Sequence, residues 1–155
     1  MGEMNPRLLM GALAFGAAAC AEIPMDPEGT LERVRAEGVF RVGIIAPGAH
    51  PRDHDRQRRL IAHVARSTGA RPLIGTGSAE RLLTAVERGE VDLVIGELAQ
   101  DSPWSKHVTL LPPLRTPSEG QSKSVPTLHA VARNGENGWI ALLHRHAETV
   151  AKGGS

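Results

Sequence analysis

Polar side chains that could hold a small molecule follow a buried strand near the middle of the chain. Residues 91–95 are almost continuously apolar, as expected of a strand covered on both faces, and Gly96 and Glu97 come directly after them. In an open α/β sheet, ligands bind outside the carboxyl ends of the strands, so the loop that follows is a candidate site. The polar and aromatic residues of that loop include Ser102, Trp104, Ser105 and Lys106.

The chemistry that these residue types support is noncovalent capture of a solute. The carboxylate of Glu97 can accept hydrogen bonds from an amine, and the ammonium of Lys106 can meet a carboxylate. Trp104 offers a flat apolar platform for a ligand or a partner. The simpler alternatives are that Glu97 is a solvated loop residue and that Trp104 covers the open end of the sheet.

A second candidate loop follows the first predicted strand, residues 39–46. Pro47 and Gly48 end that strand and His50 follows, and all three are included in the predicted ligand site. His50 and His54 are four residues apart, a spacing that can present two ligands to one metal ion. Because no third ligand is evident nearby, solvated loop residues are the better interpretation, and we expect neither a metal nor a cofactor.

Several classes of function are disfavoured by the sequence. It contains no nucleophile elbow, no Gly-rich phosphate loop and no HExxH helix, so we do not expect an enzyme. The net charge of +1 gives no basic face for nucleic acid. Aromatic residues make up only 3% of the chain, which argues against bases or sugars stacked on several rings.

The N-terminal segment predicts export to the periplasm or cell envelope. Arg7 precedes an apolar run of 12 residues, shorter than the ~20 residues of a membrane-spanning helix, and small residues then lead to Cys20. This order resembles a bacterial lipoprotein signal, in which the cysteine receives a lipid that holds the protein at the membrane surface. An ordinary cleaved signal with a free cysteine and a buried or anchoring apolar helix are the alternatives. We assign residues 1–19 to the signal and residues 20–29, with two Pro and one Gly, to a tether.

Predicted strands and helices alternate along the remaining residues, 30–152. This alternation favours a single three-layer α/β domain with a mostly parallel sheet of about five strands. Residues 115–126 have no apolar periodicity and are predicted to form a loop. The predicted strands are residues 39–46, 71–75, 91–95, 107–111 and 128–132. The predicted helices are residues 31–38, 53 or 55 to 69, 76 or 78 to 89, and 139–150.

The second predicted helix is amphipathic. Leu60, Ile61 and Val64 form its apolar stripe, and arginines are expected on its outer face. Such a run of arginines is ordinarily the solvated face of a helix, although it could also meet anionic lipid headgroups. The arginines expected to face outward are Arg56, Arg58, Arg59 and Arg66.

Four stretches of this pattern resemble the family 3 periplasmic solute-binding proteins of ABC transporters. The resemblance covers most of residues 30–152, and it implies a periplasmic-binding-protein-like lobe that binds a small polar solute, such as an amino-acid-like molecule. It also implies a membrane permease as a partner. The four stretches are TLERVRAEGVFRVGI, RLLTAVERGEVDLVIG, DSPWSKHVTLLPPL and AVARNGENGWIALLHRHAETVAKGG.

The chain departs from this family by lacking a second lobe. In the family, that lobe is inserted after the fourth strand, and closure of the two lobes buries the ligand. Here only residues 115–126 bridge the gap, so the chain resembles lobe one alone. One lobe supplies one wall of a site, which should lower the affinity for a small solute unless a second copy supplies the other wall.

A second departure concerns the residues that grip an amino acid. Relatives that bind amino acids carry an Arg shortly after a Thr-Pro or Ser-Pro in the loop after the third strand. Here Ser102 and Pro103 are followed by Trp104, Ser105 and Lys106, and a lysine lacks the planar fork of an arginine. The aromatic residue usual in the loop after the first strand is also absent.

Two functions remain open from the sequence. The first is an exported, lipid-anchored module that binds a small solute or presents a surface to a membrane transport protein. The alternative is an interaction or regulatory protein, derived from a truncated solute-binding protein, that binds no ligand. The missing lobe and the missing arginine favour the alternative, and the fold by itself does not decide between the two.

Overall fold

The structure is a computed structural model that describes residues 26–46, 51–116 and 118–153. The predicted signal, Cys20 and the loop containing Pro47, Gly48 and His50 lie outside the described residues. None of the helices in the described ranges is long and apolar enough to cross a membrane. The elements are α1 (Thr30–Glu37), β1 (Val39–Ile45), α2 (Pro51–Thr68), β2 (Arg71–Gly77), α3 (Ala79–Glu87), β3 (Leu93–Leu98), a 3-10 helix (Pro103–Lys106), β4 (Val108–Leu110), β5 (Thr127–Arg133) and α4 (Asn137–Lys152).

The five strands form one sheet in the order β2-β1-β3-β5-β4. β1 is parallel to both β2 and β3, and Val42 faces Leu93 across the β1–β3 pair. β5 is antiparallel to its neighbours β3 and β4, so it alone among the described strands runs in the opposite direction. The prediction of about five strands in a mostly parallel sheet is therefore confirmed.

Helices cover both faces of the sheet, which confirms the predicted three layers. Alternate strand residues point to opposite faces, and each face has its own core. On one face, Phe40 and Leu93 pack with Val34 of α1, Leu60 of α2 and Leu143 of α4. On the other face, the core is built on α3 and contains Leu82, Leu83, Val86, Val94, Leu98, Val108 and Val131.

The bounds of β3 and α2 differ from the predicted ones. The third strand was expected over residues 91–95 but spans Leu93–Leu98, because its ladder with β5 continues until Leu98 faces Thr127. Gly96 and Glu97 therefore lie within β3 rather than after it. α2 begins at Pro51 rather than at Asp53 or Asp55, and proline is well suited to a first helical turn.

Residues 26–29, at the end of the predicted tether, are bound to the domain. The carboxylate of Asp26 accepts hydrogen bonds from the backbone N–H of Leu31 (2.9 Å) and from that of Trp139 (3.0 Å). Each N–H belongs to the first turn of a helix, where it has no partner within the helix itself. One aspartate thus joins the start of α1 to the start of α4.

Glu136 makes a second connection between the same two helices. Its buried carboxylate accepts hydrogen bonds from the backbone N–H groups of Glu28 and Thr30, both at 2.9 Å. Desolvation raises the pKa of Glu136. The hydrogen bonds from Thr30 and Glu28, together with the charge of Arg133, lower the pKa by a larger amount, so it lies below its usual value. The folded protein therefore favours the ionised form.

We expect replacement of this carboxylate to change how stability depends on pH. A pKa lowered by folding stabilises the protein above the unfolded value of about 4.3, and this contribution is lost as the pH falls through the folded value. Glu136→Gln should lower the free energy of unfolding at pH 7 by about 1–3 kcal/mol, and the difference should shrink as the pH falls below about 4. Urea unfolding at a series of pH values measures this difference.

Glu148→Gln is the matched control for this prediction. Glu148 is an exposed residue of α4 whose ion pairs, with His144 and Lys152, lie at the surface. Its replacement should change stability by less than about 1 kcal/mol at any pH. A Glu136→Gln effect of constant size between pH 7 and pH 3 would show that the charge of Glu136 is unimportant.

Candidate functional site

The candidate site is the edge of the sheet at which the parallel strands β1, β2 and β3 end, at Ile45, Gly77 and Leu98. We call it the carboxyl edge and the opposite one the amino edge. The ends of β1 and β2 are joined by a hydrogen bond from the Ala46 N–H to the Gly77 carbonyl (3.0 Å). α2 and α3 both begin at the carboxyl edge, so the first turns of two helices face the region where α/β sheets bind ligands.

Gly96 allows the ends of β1 and β3 to lie close together. A Cβ atom at this position would lie 2.6 Å from the Cβ of Ile45, which is too close for any side chain. The next residue, Glu97, is exposed and shares the face of Leu93 and Ile95, on the side of α2 and α4. Of the predicted site residues, Gly96 and Glu97 thus lie at the carboxyl edge, and Gly96 has a packing role there.

The loop after β3 divides the other predicted site residues between the two edges. Ser102 stays near the carboxyl edge, because its N–H donates to the carbonyl of Ala99 (3.1 Å), the residue directly after β3. The chain then runs back along the sheet to β4, whose first residue faces Arg133 at the amino edge. Asn134 donates a side-chain hydrogen bond to the carbonyl of Lys106 (3.4 Å) at that amino edge. Ser105 faces a groove along β4.

Trp104 lies with Lys106 toward the amino edge, in the 3-10 helix that follows Ser102. Its half-buried ring packs against the core beneath α3 and meets the ring of His107 edge-on, with centroids 5.9 Å apart. His107 Nδ1 in turn lies 3.0 Å from a carboxylate oxygen of Glu87, the last residue of α3. Trp104 therefore packs beside the end of α3 that is remote from the carboxyl edge.

The segment from 118 to 126 is attached to the carboxyl edge. The described residues of 115–126 contain neither helix nor strand, as predicted. The N–H of Gln100, just after β3, donates to the carbonyl of Lys123 (2.9 Å), and the Ser124 hydroxyl donates to the carboxylate of Asp101. These contacts hold the segment against the loop after β3, on the side of the edge away from β2.

Sequence reasoning missed a buried polar group in the first two turns of α2. The apolar stripe of α2, extended backward at helical spacing from Leu60, contains Asp53, Arg56 and Gln57. Asp53 is 1% exposed, and Gln57 is also buried. Arg56 is half-buried, which contradicts its predicted outward position, because it turns inward to pair with Asp53 (Nη1–Oδ1 3.4 Å). Polar residues at core-facing positions of a helix were the signal available in the sequence.

The pair between Asp53 and Arg56 leaves hydrogen-bonding capacity unused. Oδ2 of Asp53 and Nε of Arg56 are both buried and have no hydrogen-bond partner among the described residues. A buried carboxylate oxygen without a partner costs about 1–3 kcal/mol, so a donor that reached it would bind favourably. An amine or guanidinium could donate to Asp53, and a carboxylate could accept from Arg56.

The described residues contain no cluster of three His, Cys, Asp or Glu side chains suited to a metal ion. His54, one of the two histidines at metal-ligand spacing, is exposed on α2. The described side chains of Asp53, Arg56 and Glu97 can form hydrogen bonds and ion pairs.

Comparisons with known proteins identify the fold. No protein-family model and no curated protein matches the chain. Among solved structures, an arginine-bound mutant of domain 1 from TmArgBP is 16% identical with a TM-score of 0.61, over 77% of this chain and 97% of that one. A mutant of ArgBP from T. maritima is 11% identical (TM-score 0.61; 81% and 94% covered). The unliganded, open L-cystine solute receptor of Neisseria gonorrhoeae is 12% identical (TM-score 0.54; 77% and 90% covered). These similarities confirm the predicted periplasmic-binding-protein-like lobe.

The glycine at the end of β3 can be tested against a second strand glycine. Gly96→Ala should lower the free energy of unfolding by about 1–3 kcal/mol, because its methyl group would overlap Ile45. At Gly75 in β2, an added Cβ has no atom within 4 Å, so Gly75→Ala should be neutral or stabilise by up to about 1 kcal/mol. Urea unfolding of the two variants measures the difference, and equal effects would contradict the close approach of β1 and β3.

Proposed function

We propose that this protein is an exported, lipid-anchored solute-binding module that holds a small amino-acid-like solute at the carboxyl edge. The solute would interact with Asp53 and Arg56 at the start of α2 and with Glu97 and Ser102 at the end of β3. A membrane permease is the proposed partner, and no catalytic step is proposed. Trp104, Ser105 and Lys106, toward the amino edge, would contribute to a partner surface rather than to the solute site.

The observation that carries this proposal is that Oδ2 of Asp53 is buried and has no hydrogen-bond partner among residues 26–46, 51–116 and 118–153. Core-facing positions of a helix are ordinarily apolar, and an ionised group is rarely buried unless it is fully paired. Asp53 and Arg56 occupy such positions only in the part of α2 nearest the carboxyl edge, whereas Leu60 and Val64 continue the stripe as apolar residues. Opposite charges side by side also suit a zwitterion, which carries both an ammonium and a carboxylate.

The structural neighbours support a solute site on a single lobe. Domain 1 of TmArgBP is described as arginine-bound, so that isolated domain holds its ligand. The same structure aligns over 97% of its length with 76% of this chain. A missing second lobe therefore lowers the burial of a ligand without removing the wall on which it binds.

Cell-envelope localisation is proposed from the N-terminal sequence. Arg7, the apolar residues 8–19 and Cys20 have the order of a lipoprotein signal, and the small residues before Cys20 suit cleavage there. A lipid on Cys20 would hold the domain at the membrane surface, next to a permease.

Solute binding is tested by thermal unfolding in the presence of candidate ligands. A ligand at about 100 times its Kd stabilises the folded state by about 2.7 kcal/mol, which should raise Tm by about 5–10 °C for a protein of this size. Amino acids including arginine and cystine, polyamines and organic acids form the panel. We expect a zwitterionic or cationic member to raise Tm, and Asp53→Asn to abolish that shift.

Asp55→Asn is the matched control for the solute site. Asp55 lies two residues away on α2, but it is exposed and pairs with Arg58 at the surface. The variant should keep the full ligand-induced shift. If no member of the panel raises Tm, an interaction protein that binds no ligand becomes the better proposal. If Asp53→Asn and Asp55→Asn show the same ligand-induced shift in Tm, Asp53 is not part of the site.

The anchor is tested by mass spectrometry of the full chain expressed in a bacterial host and extracted from membranes. We expect the N-terminal peptide to begin at Cys20 and to carry the added mass of a lipid. Cys20→Ser should move the protein out of the membrane fraction. An intact N-terminus with an unmodified thiol would rule out the lipoprotein.

A further inference from the structure

Two histidine rings stack between the long helices α2 and α4. His63 of α2 and His146 of α4 have ring centroids 5.5 Å apart, and their planes are inclined by 22°. Both side chains are half-buried where α2 packs against α4. His63 lies about 15 Å along α2 from Asp53, so this contact is separate from the proposed solute site. A group that titrates near neutral pH thus lies on each side of one helix–helix contact.

The hydrogen bond made by His63 requires a neutral ring. Nη2 of Arg66 lies 3.1 Å from Nδ1 of His63. A guanidinium only donates hydrogen bonds, so Nδ1 must accept, and the single ring proton must be on Nε2. Protonation of Nδ1 would replace this hydrogen bond with repulsion between two adjacent cations. His63 can therefore become charged only if Arg66 moves away.

His146 is connected to the backbone of α2 through Ser67. The hydroxyl of Ser67 donates to the carbonyl of Val64 (3.1 Å), so its one proton is already used. The hydroxyl oxygen can then accept from Nε2–H of His146, which lies 2.9 Å away. The two histidines and their partners therefore join α2 to α4 through hydrogen bonds as well as through ring contact.

The groups that act on these rings are basic throughout the described part of the chain. Burial lowers the pKa of His146, and the nearby charges of His63, Arg145 and Arg66 lower it further. Arg59, one turn before His63, adds a positive charge that faces the end of α4. The carboxylates of the two helices have other partners: Asp53 pairs with Arg56, Asp55 with Arg58, and Glu148 with His144 and Lys152.

We propose that His63, Arg66, Ser67 and His146 form an acid-sensitive clasp, which holds α2 against α4 near neutral pH and opens below about pH 6.5. Protonation would add up to two positive charges beside three arginines and would break the hydrogen bond between Arg66 and His63. A histidine pKa that folding lowers contributes stability above the unfolded value of about 6.5, and this stability is lost as the pH falls through the folded value. The histidine clasp thus makes the contact between α2 and α4 depend on the pH of the surroundings.

Hydrogen exchange of the full chain tests the histidine clasp, with a mild detergent present because residues 8–19 are apolar. After correction for intrinsic exchange rates, the protection of the α4 amides from Leu142 to Val150 should fall roughly tenfold or more between pH 7.5 and pH 5.0, since one pKa unit is a factor of ten. Most carboxylates stay ionised at pH 5.0 and contribute little to this change. His63→Gln combined with His146→Gln should reduce the change to less than about threefold, because glutamine can make the same hydrogen bonds without titrating.

His144→Gln is the matched control on the same helix. His144 is exposed and pairs with Glu148 at the surface, so this variant should keep the full acid response. Arg66→Gln retains both histidines, removes one neighbouring charge and supplies a carbonyl to which a protonated His63 could donate. In this variant the pKa of His146, followed by NMR of its ring protons, should rise, and the acid response should become smaller.

The proposal would be overturned by an equal loss of protection in the unmodified chain and in the double glutamine variant, or by no loss in either. A pKa of His146 at or above 6.5 in the unmodified chain would also contradict it. If His144→Gln removes the acid response, or if Arg66→Gln leaves the pKa of His146 unchanged, the acid sensitivity does not come from the histidine clasp.

Discussion

Asp92 lies immediately before β3, at the amino edge, and its buried carboxylate accepts hydrogen bonds from Arg33 of α1 and Arg41 of β1. Arg41 binds it through the backbone N–H (2.7 Å), Nε (3.1 Å) and Nη2 (2.8 Å). The hydrogen bond to Asp92 raises the pKa of Arg41 despite the opposing effect of burial. The backbone of Asp92 is fixed as well, because its carbonyl accepts from Trp139 Nε1 of α4 (2.7 Å). One residue thus joins two helices and two strands.

This junction sets the register of the central strands and therefore the geometry of the carboxyl edge. With Asp92 held by Arg41, Leu93 faces Val42, and three residues further along Gly96 lies against Ile45. A slip of one residue would exchange the two faces of β3, since strand side chains alternate. Glu97 would then point toward the core beneath α3. The position of the site at one edge thus depends on an ion pair at the other.

Local sequence patterns were sufficient to predict the elements of the fold. Glycines with positive φ end α1 at Gly38 and follow α2 at Gly69, where the sequence predicted helix ends. Short runs rich in apolar and β-branched residues, five to eight positions long, predicted the strands. The place of β5 in the strand order was not predicted, since its antiparallel pairing with β3 joins residues that are 29 to 37 positions apart. That pairing also extends β3 to Leu98 and moves Gly96 and Glu97 into the strand.

The candidate site was predicted less well, because loops follow tertiary contacts. The residues from Ser102 to Lys106 are close in sequence, but the loop that contains them runs the length of the sheet from one edge to the other. The sequence placed Asp53 at one of two possible starts of α2 and Arg56 on its solvated face. Their burial depends on how α2 packs, and only the phase of the apolar stripe pointed to it.

Two departures from ordinary folding patterns, among those in the described residues, lie on different surfaces. Polar groups are buried without full pairing at the start of α2, and apolar groups are exposed along β2. The first destabilises the isolated domain, since an unpaired buried oxygen costs about 1–3 kcal/mol. The second contributes less to stability than fully buried side chains would. Substitutions as simple as leucine at position 53 or lysine at position 74 would remove the conflict. Residues that oppose the local pattern without a gain inside the fold are expected at sites that gain from contact with another molecule. By its chemistry, the first surface suits a charged solute.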